Sequence, residues 1–211
     1  GGDVIANTAN DITGDVALTA SNTVDINANL AASNGGGITL TSDTAGGGGN
    51  IDIAGNTTIT AAGVLDVETG TGQMVDSAVN GDTITLQSGG AFDFENTNLT
   101  NADLALTAAG NVTQSGAVTV VGATDVTTTA AGSAVTLDNT GNDFGNTVTV
   151  DTTNGGTVTG GVVTLQDANS VTLGAIAATS LSATALGGDV IANTANDITG
   201  DVALTASNTV D

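Results

Sequence analysis

The sequence begins and ends with the same segment. GGDVIANTANDITGDVALTASNTVD occupies residues 1–25 and returns without a change at residues 187–211, an offset of 186 positions. An internal repeat of this kind is typical of solenoids and tandem arrays, in which each unit packs mainly on its neighbours. We therefore predict that residues 1–186 form one full repeat, and that residues 187–211 begin the next, identical repeat.

The residues between the two copies show a short alternation of apolar and polar side chains. A period of two over four or five residues predicts a strand with one buried face. Thirteen apolar pairs are expected to point inward: Val16/Leu18, Val24/Ile26, Ile38/Leu40, Ile51/Ile53, Leu65/Val67, Ile84/Leu86, Phe92/Phe94, Leu104/Leu106, Val118/Val120, Val135/Leu137, Val148/Val150, Val163/Leu165 and Val171/Leu173. Shorter strands are expected around eight single positions: Val4, Ile12, Ile59, Leu99, Val112, Val126, Val158 and Leu181.

The same residues argue against helices and favour a β-helix. Asn, Asp, Gly and β-branched residues fill every window, and strong helix formers such as Lys and Arg are absent. A β-sandwich is the main alternative, but sandwiches usually bury large aromatic side chains. This sequence has three Phe and neither Trp nor Tyr. A narrow parallel β-helix needs only small and medium aliphatic residues inside, so we predict an all-β, parallel β-helical fold.

Two further stretches carry a prediction about the coils. Residues 69–81 show no clean alternation and contain the only methionine, Met74, which predicts an irregular loop that leaves the scaffold. Residues 12–25 (ITGDVALTASNTVD) and 99–113 (LTNADLALTAAGNVT) share a strand pair and the Thr-Ala after it. This similarity predicts that the two stretches are equivalent parts of different coils.

The charge excludes several classes of partner. The chain has 22 acidic residues, no Lys, Arg or His, and a formal net charge of −22. Contacts to nucleic-acid phosphates and to anionic lipids need basic residues. We therefore expect no nucleic-acid binding and no docking on a membrane of anionic lipids. No apolar run approaches the roughly 18 residues of a membrane span, so no membrane insertion is expected.

Three phrases in the second half carry a family resemblance. The chain resembles the passenger repeats of filamentous-haemagglutinin-like giant surface proteins in NVTQSGAVTV (111–120), VTLDNTGNDFG (135–145) and VTLQDANSVTLG (163–174). Sequence of the same kind extends over essentially the whole chain. Similar phrases recur in large β-strand-repeat exoproteins of Gram-negative bacteria. The resemblance implies a right-handed parallel β-helix, export through an outer-membrane pore, and a secreted adhesin-like fibre at the bacterial cell surface.

No catalytic, cofactor-binding or metal-binding residue is predicted. Without His, Cys, Lys or Tyr, only carboxylates and hydroxyls remain for catalysis, so we expect that the chain is not an enzyme. A glycosidase needs two facing carboxylates. The most closely spaced acidic pairs, Asp66/Glu68 and Asp93/Glu95, fall on the outward phase of a strand, which favours a solvated face.

Calcium is the one ion for which the sequence contains a candidate motif. Residues 47–55 (GGGNIDIAG) loosely resemble the nonapeptide of calcium-binding rolls, but the motif occurs once and has Asn50 where a Gly is expected. We therefore expect no required cofactor, with Ca²⁺ at most loosely bound to an acidic rod.

The expected partners follow from the repeat and the charge. Neighbouring repeats of the same chain are the first partner, and lateral association of rods would depend on divalent cations, because no basic residue offsets the repulsion. Three functions stay open: a structural or adhesive surface fibre that supports attachment, aggregation or coating, a self-assembling filament or sheath of laterally packed β-helices, and a β-helix that binds or cleaves glycans. The receptor is not predicted.

Overall fold

The computed structural model describes residues 2–157 and 159–211, which form a stack of about ten turns of chain. Val158, one of the single inward positions predicted above, lies outside the described residues. Within the described part, all regular elements are strands, and their pairings are parallel. That part contains no helix that is long and apolar enough to cross a membrane.

Twenty-six strands follow one another around the turns. The first thirteen are β1 (Val4–Ala6), β2 (Asn10–Thr13), β3 (Val16–Thr19), β4 (Val24–Ile26), β5 (Leu30–Ser33), β6 (Ile38–Thr41), β7 (Ile51–Ile53), β8 (Thr58–Ala61), β9 (Leu65–Glu68), β10 (Met74–Asp76), β11 (Thr83–Ser88), β12 (Phe92–Phe94) and β13 (Thr97–Leu99). The others are β14 (Asp103–Ala108), β15 (Val112–Gln114), β16 (Val118–Val120), β17 (Thr124–Thr128), β18 (Val135–Leu137), β19 (Asp143–Phe144), β20 (Thr147–Asp151), β21 (Val162–Asp167), β22 (Val171–Ala178), β23 (Ser180–Ala185), β24 (Val190–Ile191), β25 (Asp197–Ile198) and β26 (Val202–Ala206).

The strands stack into three faces, because over most of the chain each strand pairs with the third strand after it. Face 1 runs from β1 through β4, β7, β10, β13 and β16 to β19. Face 2 runs from β2 through β5, β8, β11, β14, β17 and β20 to β22, on which both β24 and β25 lie. Face 3 contains β3, β6 and β9, followed by β12, β15, β18, β21, β23 and β26. The predicted all-β parallel β-helix is therefore confirmed.

The core follows the predicted inward pattern closely. The thirteen inward pairs are buried, apart from Leu18, which is half-buried and packs against the core. Ile12 differs from the prediction, since it is 40% exposed. Its strand β2 pairs only with β5, so one side of Ile12 has no covering strand. The predicted alternation thus identifies the buried side chains wherever strands lie on both sides.

The irregular loop predicted for residues 69–81 is wrong. These residues contain β10, which pairs in parallel with β7 on one side and β13 on the other. Met74 is 1% exposed and lies between Ile51 and Thr97 in the ladder, while only short turns flank the strand. This strand buries a single methionine instead of an aliphatic pair, so its sequence lacks the alternation of two apolar residues.

The second copy of the repeated segment continues the stack. β24 and β25 pair with β22, and β26 pairs with β23 in an unbroken register from Leu181–Val202 to Ala185–Ala206. On face 3, eight steps of the stack separate β3 from β26, its equivalent in the second copy. One sequence period therefore corresponds to eight turns.

Candidate functional site

Four carboxylates form a cluster on the outer surface of face 3. Asp66 and Glu68 belong to β9, Asp93 belongs to β12 and Glu95 follows it directly. Burial, and then the negative charges of Glu68, Glu95 and Asp93, raise the pKa of Asp66. The predicted outward orientation of these residues is confirmed, and the stacking of the two turns brings both pairs into one cluster, which their spacing in the sequence did not show.

The glutamate of this cluster also holds two turns together. No ladder pairs β9 with β12 in the described residues, although the two strands are successive on face 3. Instead, the Glu95 carboxylate accepts hydrogen bonds from the backbone N–H of Thr69 at 2.6 Å and from its hydroxyl at 2.9 Å. Ser88 acts at the other end of the gap, where its hydroxyl accepts from the N–H of Leu65 at 3.0 Å and donates to the carbonyl of Ala91 at 3.0 Å. Glu95 is therefore half-buried and structural, which corrects the prediction of a simply solvated side chain.

In the glycine-rich stretch at residues 47–55, residues 47–50 form the turn into β7, and Ile51–Ile53 are β7 itself. The N–H groups of Gly47 and Gly48 donate to the carboxylate of Asp43, and Asn50 accepts from the N–H of Gln73 at 3.0 Å. Within residues 2–157 and 159–211, no group of three or more acidic side chains is placed to hold a metal ion. Asp43 and Asn50 are thus engaged in joining backbone segments, whereas Oδ1 of Asp52, the aspartate of this stretch, has no hydrogen-bond partner among the described residues.

Asp43 is the residue around which this turn is organised, and sequence analysis did not single it out. One carboxylate oxygen accepts from Gly47 and Gly48, and the other accepts from the N–H and the hydroxyl of Thr71, in the next turn of the stack. The Thr71 hydroxyl is the largest cause that lowers the pKa of Asp43 to about 2, although burial acts in the opposite direction. An Asp before a run of glycines was the available signal, since successive N–H groups can converge on an anion.

Asp167 is a second buried carboxylate that the sequence did not reveal. It has no exposed surface and accepts from the N–H of Phe144 at 2.7 Å and from the N–H of Asn169 at 2.6 Å. Burial raises the pKa of Asp167, the two backbone hydrogen bonds oppose that shift, and the charge of Asp143 adds to it. Phe144 is the last residue of β19, where face 1 ends, so Asp167 takes the place of a further strand.

Three small clefts lie on the described surface of the rod. One cleft of about 180 Å³ lies between turn residues that include Gly156 and Gly160 and the second copy of the repeated segment. Two others, of about 190 and 180 Å³, are lined by polar turn residues around Glu95 and Asp103. Pockets for small molecules usually have volumes of roughly 300–1,000 Å³. The faces of the rod and the contacts between its turns are therefore better candidates for a functional role than these clefts.

Comparison with known proteins agrees with this emphasis on repeats. A family model described as "Repeats of unknown function (DUF5649)" matches residues 81–151, the part of the stack from β11 to β20. Neither a curated protein nor a solved structure matches the chain. Over residues 81–151, this β-helix is thus similar to a family of repeats to which no function is assigned.

Proposed function

We propose that this chain is a rod-forming segment of a long, repetitive fibre outside the cell, which serves in attachment, aggregation or coating of the surface. The observation that carries the proposal is the ladder at the repeat boundary. β26, in the second copy, pairs with β23 along five residues, as strands within the first repeat pair with one another. A tandem array of such repeats would form one uninterrupted β-helix.

The geometry of the stack supports a role as a spacer. Neighbouring strands lie about 4.8 Å apart, so the eight turns of one repeat lengthen the rod by roughly 38 Å. The hydrogen bonds between turns run along the rod and resist bending. A few tens of repeats would therefore hold a binding region far from the cell.

The charge and composition of the chain also suit an extracellular fibre. A net charge of −22 without any basic residue keeps rods apart through mutual repulsion. Proteases that cleave after Lys or Arg find no site in this segment. A glycan-cleaving role has less support, because Glu95, the carboxylate most deeply set in the face 3 cluster, is engaged with Thr69.

Imaging of designed arrays tests the rod. Chains with one, two and four copies of residues 1–186, each followed by residues 187–211, should appear in electron micrographs as straight rods. Their length should increase by roughly 38 Å per added repeat. Rods that fold back into globular particles, or lengths that do not increase in proportion, would contradict the proposal.

Antibody labelling tests the location and role of the fibre. An antibody against the exposed loop at residues 153–157 should label the producing cells without permeabilisation, and it should reduce their attachment to surfaces. An antibody that labels only permeabilised cells would exclude an extracellular fibre. Labelling of intact cells without any effect on attachment or aggregation would restrict the role to surface coating.

Lateral packing of rods is the second arrangement that we propose, and it depends on divalent cations. The carboxylates of face 3 lie close together, since the charges of Glu68, Glu95 and Asp93 add to burial in raising the pKa of Asp66, and the chain has no cation of its own. Light scattering should show bundles in millimolar CaCl₂ and their dissolution by EDTA, with NaCl of equal ionic strength as the control. Bundles that survive EDTA at low salt would contradict a cation-dependent assembly.

A further inference from the structure

The boundary between the third and fourth turns of the stack has fewer backbone pairs than the other boundaries. The third turn comprises β7, β8 and β9, and the fourth comprises β10, β11 and β12. Three residues pair across this boundary on face 1 and four on face 2, whereas β9 and β12 form no ladder on face 3 in the described residues. Every other boundary between described turns has between nine and eleven such pairs. Because the stability of a solenoid is close to a sum over its units and their interfaces, this interface couples its neighbours least.

Like charges lie on both sides of this boundary on the outer surface of face 3. Asp66 belongs to the third turn and Asp93 to the fourth. Burial raises the pKa of Asp66, and the charges of the other three carboxylates of the cluster add to that shift, so the four groups are close enough to repel one another. The chain has no basic residue that could offset this repulsion. The repulsion therefore acts across the boundary and favours its separation.

Two carboxylates of the cluster hold each side of the boundary to the turn beyond it. Glu68 accepts a hydrogen bond from the hydroxyl of Thr41, in the second turn, at 3.0 Å. Asp93 accepts one from the hydroxyl of Ser115, in the fifth turn, at 2.8 Å. These bonds strengthen the neighbouring boundaries. Across the gap itself, the described hydrogen bonds are those of Glu95 and Ser88, at its two ends.

The hydrophobic core is continuous through the boundary, so the two turns are in contact in the structure. Leu65 and Val67 of β9, together with Phe92 and Phe94 of β12, are at most 5% exposed. The two phenylalanine rings meet edge to face, with their centroids 4.8 Å apart. Apolar burial is non-directional, and it keeps the gap closed where the backbone hydrogen bonds of a ladder are missing.

We propose that the boundary between the third and fourth turns is a joint at which each repeat opens first, with the three turns before it separating as one unit from the turns after it. Local opening of this kind occurs where a structure has the fewest stabilising contacts. The hydrogen bonds of Glu95 and Ser88 hold the joint closed, and the repulsion between carboxylates favours its opening. The joint is a property of the folded repeat, whereas its action under tension in a fibre rests on the function proposed above.

Amide hydrogen exchange in the full chain tests the joint on the two faces away from the carboxylates. The N–H groups of Ile51, on face 1, and Thr85, on face 2, each donate across this boundary at 3.0 Å. Met74 and Val24 are matched controls on face 1, because they donate across the boundaries on either side, at 2.8 and 2.9 Å. Protection of Ile51 and Thr85 should be equal, and at least about tenfold lower than that of both controls. Protection that increases steadily from Val24 to Met74 would show fraying from the start of the chain and would overturn the proposal.

A variant without the hydroxyl groups at the gap tests what holds the joint closed. S88A/T69V removes side-chain hydrogen bonds across the boundary and leaves the charge unchanged. Exchange of Ile51 and Thr85 should become at least about fivefold faster, although neither residue is on face 3, while Met74 should be unaffected. Equal acceleration of all three amides would indicate global destabilisation and would contradict a joint.

A variant with one carboxylate fewer tests the repulsion. Asp66→Asn should slow the exchange of Ile51 and Thr85, because a charge is removed from the cluster at the boundary. Asp138→Asn, at an exposed residue that follows β18 on the same face, is the control and should leave both rates unchanged. An equal effect of the two variants would mean that the repulsion does not act at this boundary.

Force measurements on an array test the joint under tension. A chain with four copies of residues 1–186, followed by residues 187–211, should show up to four small, reversible extensions below the force that unfolds the turns. Asp66→Asn in every copy should raise the force at which they occur. Extension that begins only with complete unfolding of the repeats would exclude opening under tension, whereas imaging of the same arrays tests the rod itself.

Discussion

At the scale of single residues, Thr124 is an inward side chain whose polar atom has no partner. It is 2% exposed on β17, between Leu104 and Val148 in the ladder, and its hydroxyl makes no hydrogen bond. Thr124→Val replaces this hydroxyl with a methyl group of similar size. We expect the free energy of unfolding to rise by about 1–2 kcal/mol, because the desolvation cost of an unsatisfied buried polar group is removed. Urea unfolding followed by circular dichroism measures the change.

Thr128, on the same strand, provides the control for this prediction. It is also fully buried, but its hydroxyl donates to the carbonyl of Ser133 at 3.4 Å. Thr128→Val should therefore fail to stabilise the chain, since it leaves that carbonyl with one donor fewer. Equal stabilisation by both substitutions would show that the partner of the hydroxyl is irrelevant and that apolar volume alone decides.

Single residues also show where the sequence has too little information to predict their environment. Asp138 and Asp167 each follow a predicted inward pair closely and precede a short polar turn. Asp138 is exposed, whereas Asp167 is fully buried with two backbone donors. Asp167 continues the inward phase of Val163 and Leu165, whereas Asp138 follows Leu137 on the outward phase, so the alternation does distinguish the two. The sequence around Asp167 does not contain the reason why a buried carboxylate is tolerated there, which is that face 1 ends above Phe144 and leaves its N–H as a donor.

At the scale of elements, the alternation predicted which side chains point inward but not which face each strand joins. The segments that begin at Ile12 and Leu99 share a sequence pattern, so they were predicted to be equivalent parts of two coils. Their matching strand pairs lie in β3 on face 3 and in β14 on face 2. A period of two sets the orientation of a strand, whereas its face depends on the lengths of the corners before it. These lengths vary, since the turn that leads from Val163 to Leu181 is much shorter than the one that leads from Leu30 to Ile59.

Some corners bring the backbones of two turns so close that no side chain fits between them. A Cβ atom built on Gly49 would lie 2.1 Å from the backbone oxygen of Asn22, in the preceding turn. Gly49→Ala must therefore separate the corners of these two turns. We expect the free energy of unfolding to fall by about 1–3 kcal/mol, the usual cost of forcing extra volume into a packed site. Thermal unfolding monitored by circular dichroism would show a lower midpoint.

The same turn contains a matched control for Gly49. A Cβ atom on Gly47 would approach only one atom within 4 Å, a carboxylate oxygen of Asp43 at 3.9 Å. Gly47→Ala should thus leave the stability unchanged or raise it by about 0.5 kcal/mol, because alanine restricts the unfolded chain. If both substitutions lowered the midpoint equally, the close approach at Asn22 would not be the cause.

Asp43 joins two turns, and its replacement tests that connection. In Asp43→Asn, one acceptor oxygen becomes an N–H₂ group that faces the donors of either Gly48 or Thr71, so hydrogen bonds between the turns are lost. We expect a lower thermal midpoint at pH 7, with exposed Asp138→Asn as the control.

Because the pKa of Asp43 is lowered from 3.8 to about 2, its ionised form stabilises the fold above about pH 4, and this contribution is lost as the pH falls towards 2. The difference between wild type and variant should shrink over that interval, and a difference that stays constant would exclude the carboxylate as its source.

At the scale of the whole molecule, the sequence predicts an acidic rod, and the structure divides its carboxylates into a group with raised pKa and a group with lowered pKa. Burial is the first cause that raises the pKa of Asp25, Asp66, Asp125 and Asp167, and neighbouring carboxylates add to it in each case. Hydrogen bonds from Thr71 and Thr153 lower the pKa of Asp43 and Asp151. The net charge was available from composition. The division was not, because it depends on which turns bring carboxylates side by side.

The stability of the rod should therefore increase as the solution becomes mildly acidic. A carboxyl group whose pKa is raised by folding binds more protons in the folded state than in the unfolded state, so the free energy of unfolding rises as the pH falls. This gain should develop as the pH falls through the raised pKa values and level off near 3.8, the ordinary pKa, where the unfolded chain is protonated as well. Below that value Asp43 and Asp151 act in the opposite sense, which places the maximum at about pH 4–5.

Urea unfolding from pH 7 to pH 2 measures the profile at low protein concentration. In about 1 M NaCl the gain should be smaller, because salt screens the repulsion between carboxylates, and D66N/D125N should also show a smaller gain. A stability that is greatest at pH 7 and falls steadily with acidification would mean that the stabilising hydrogen bonds to carboxylates outweigh their mutual repulsion in this rod.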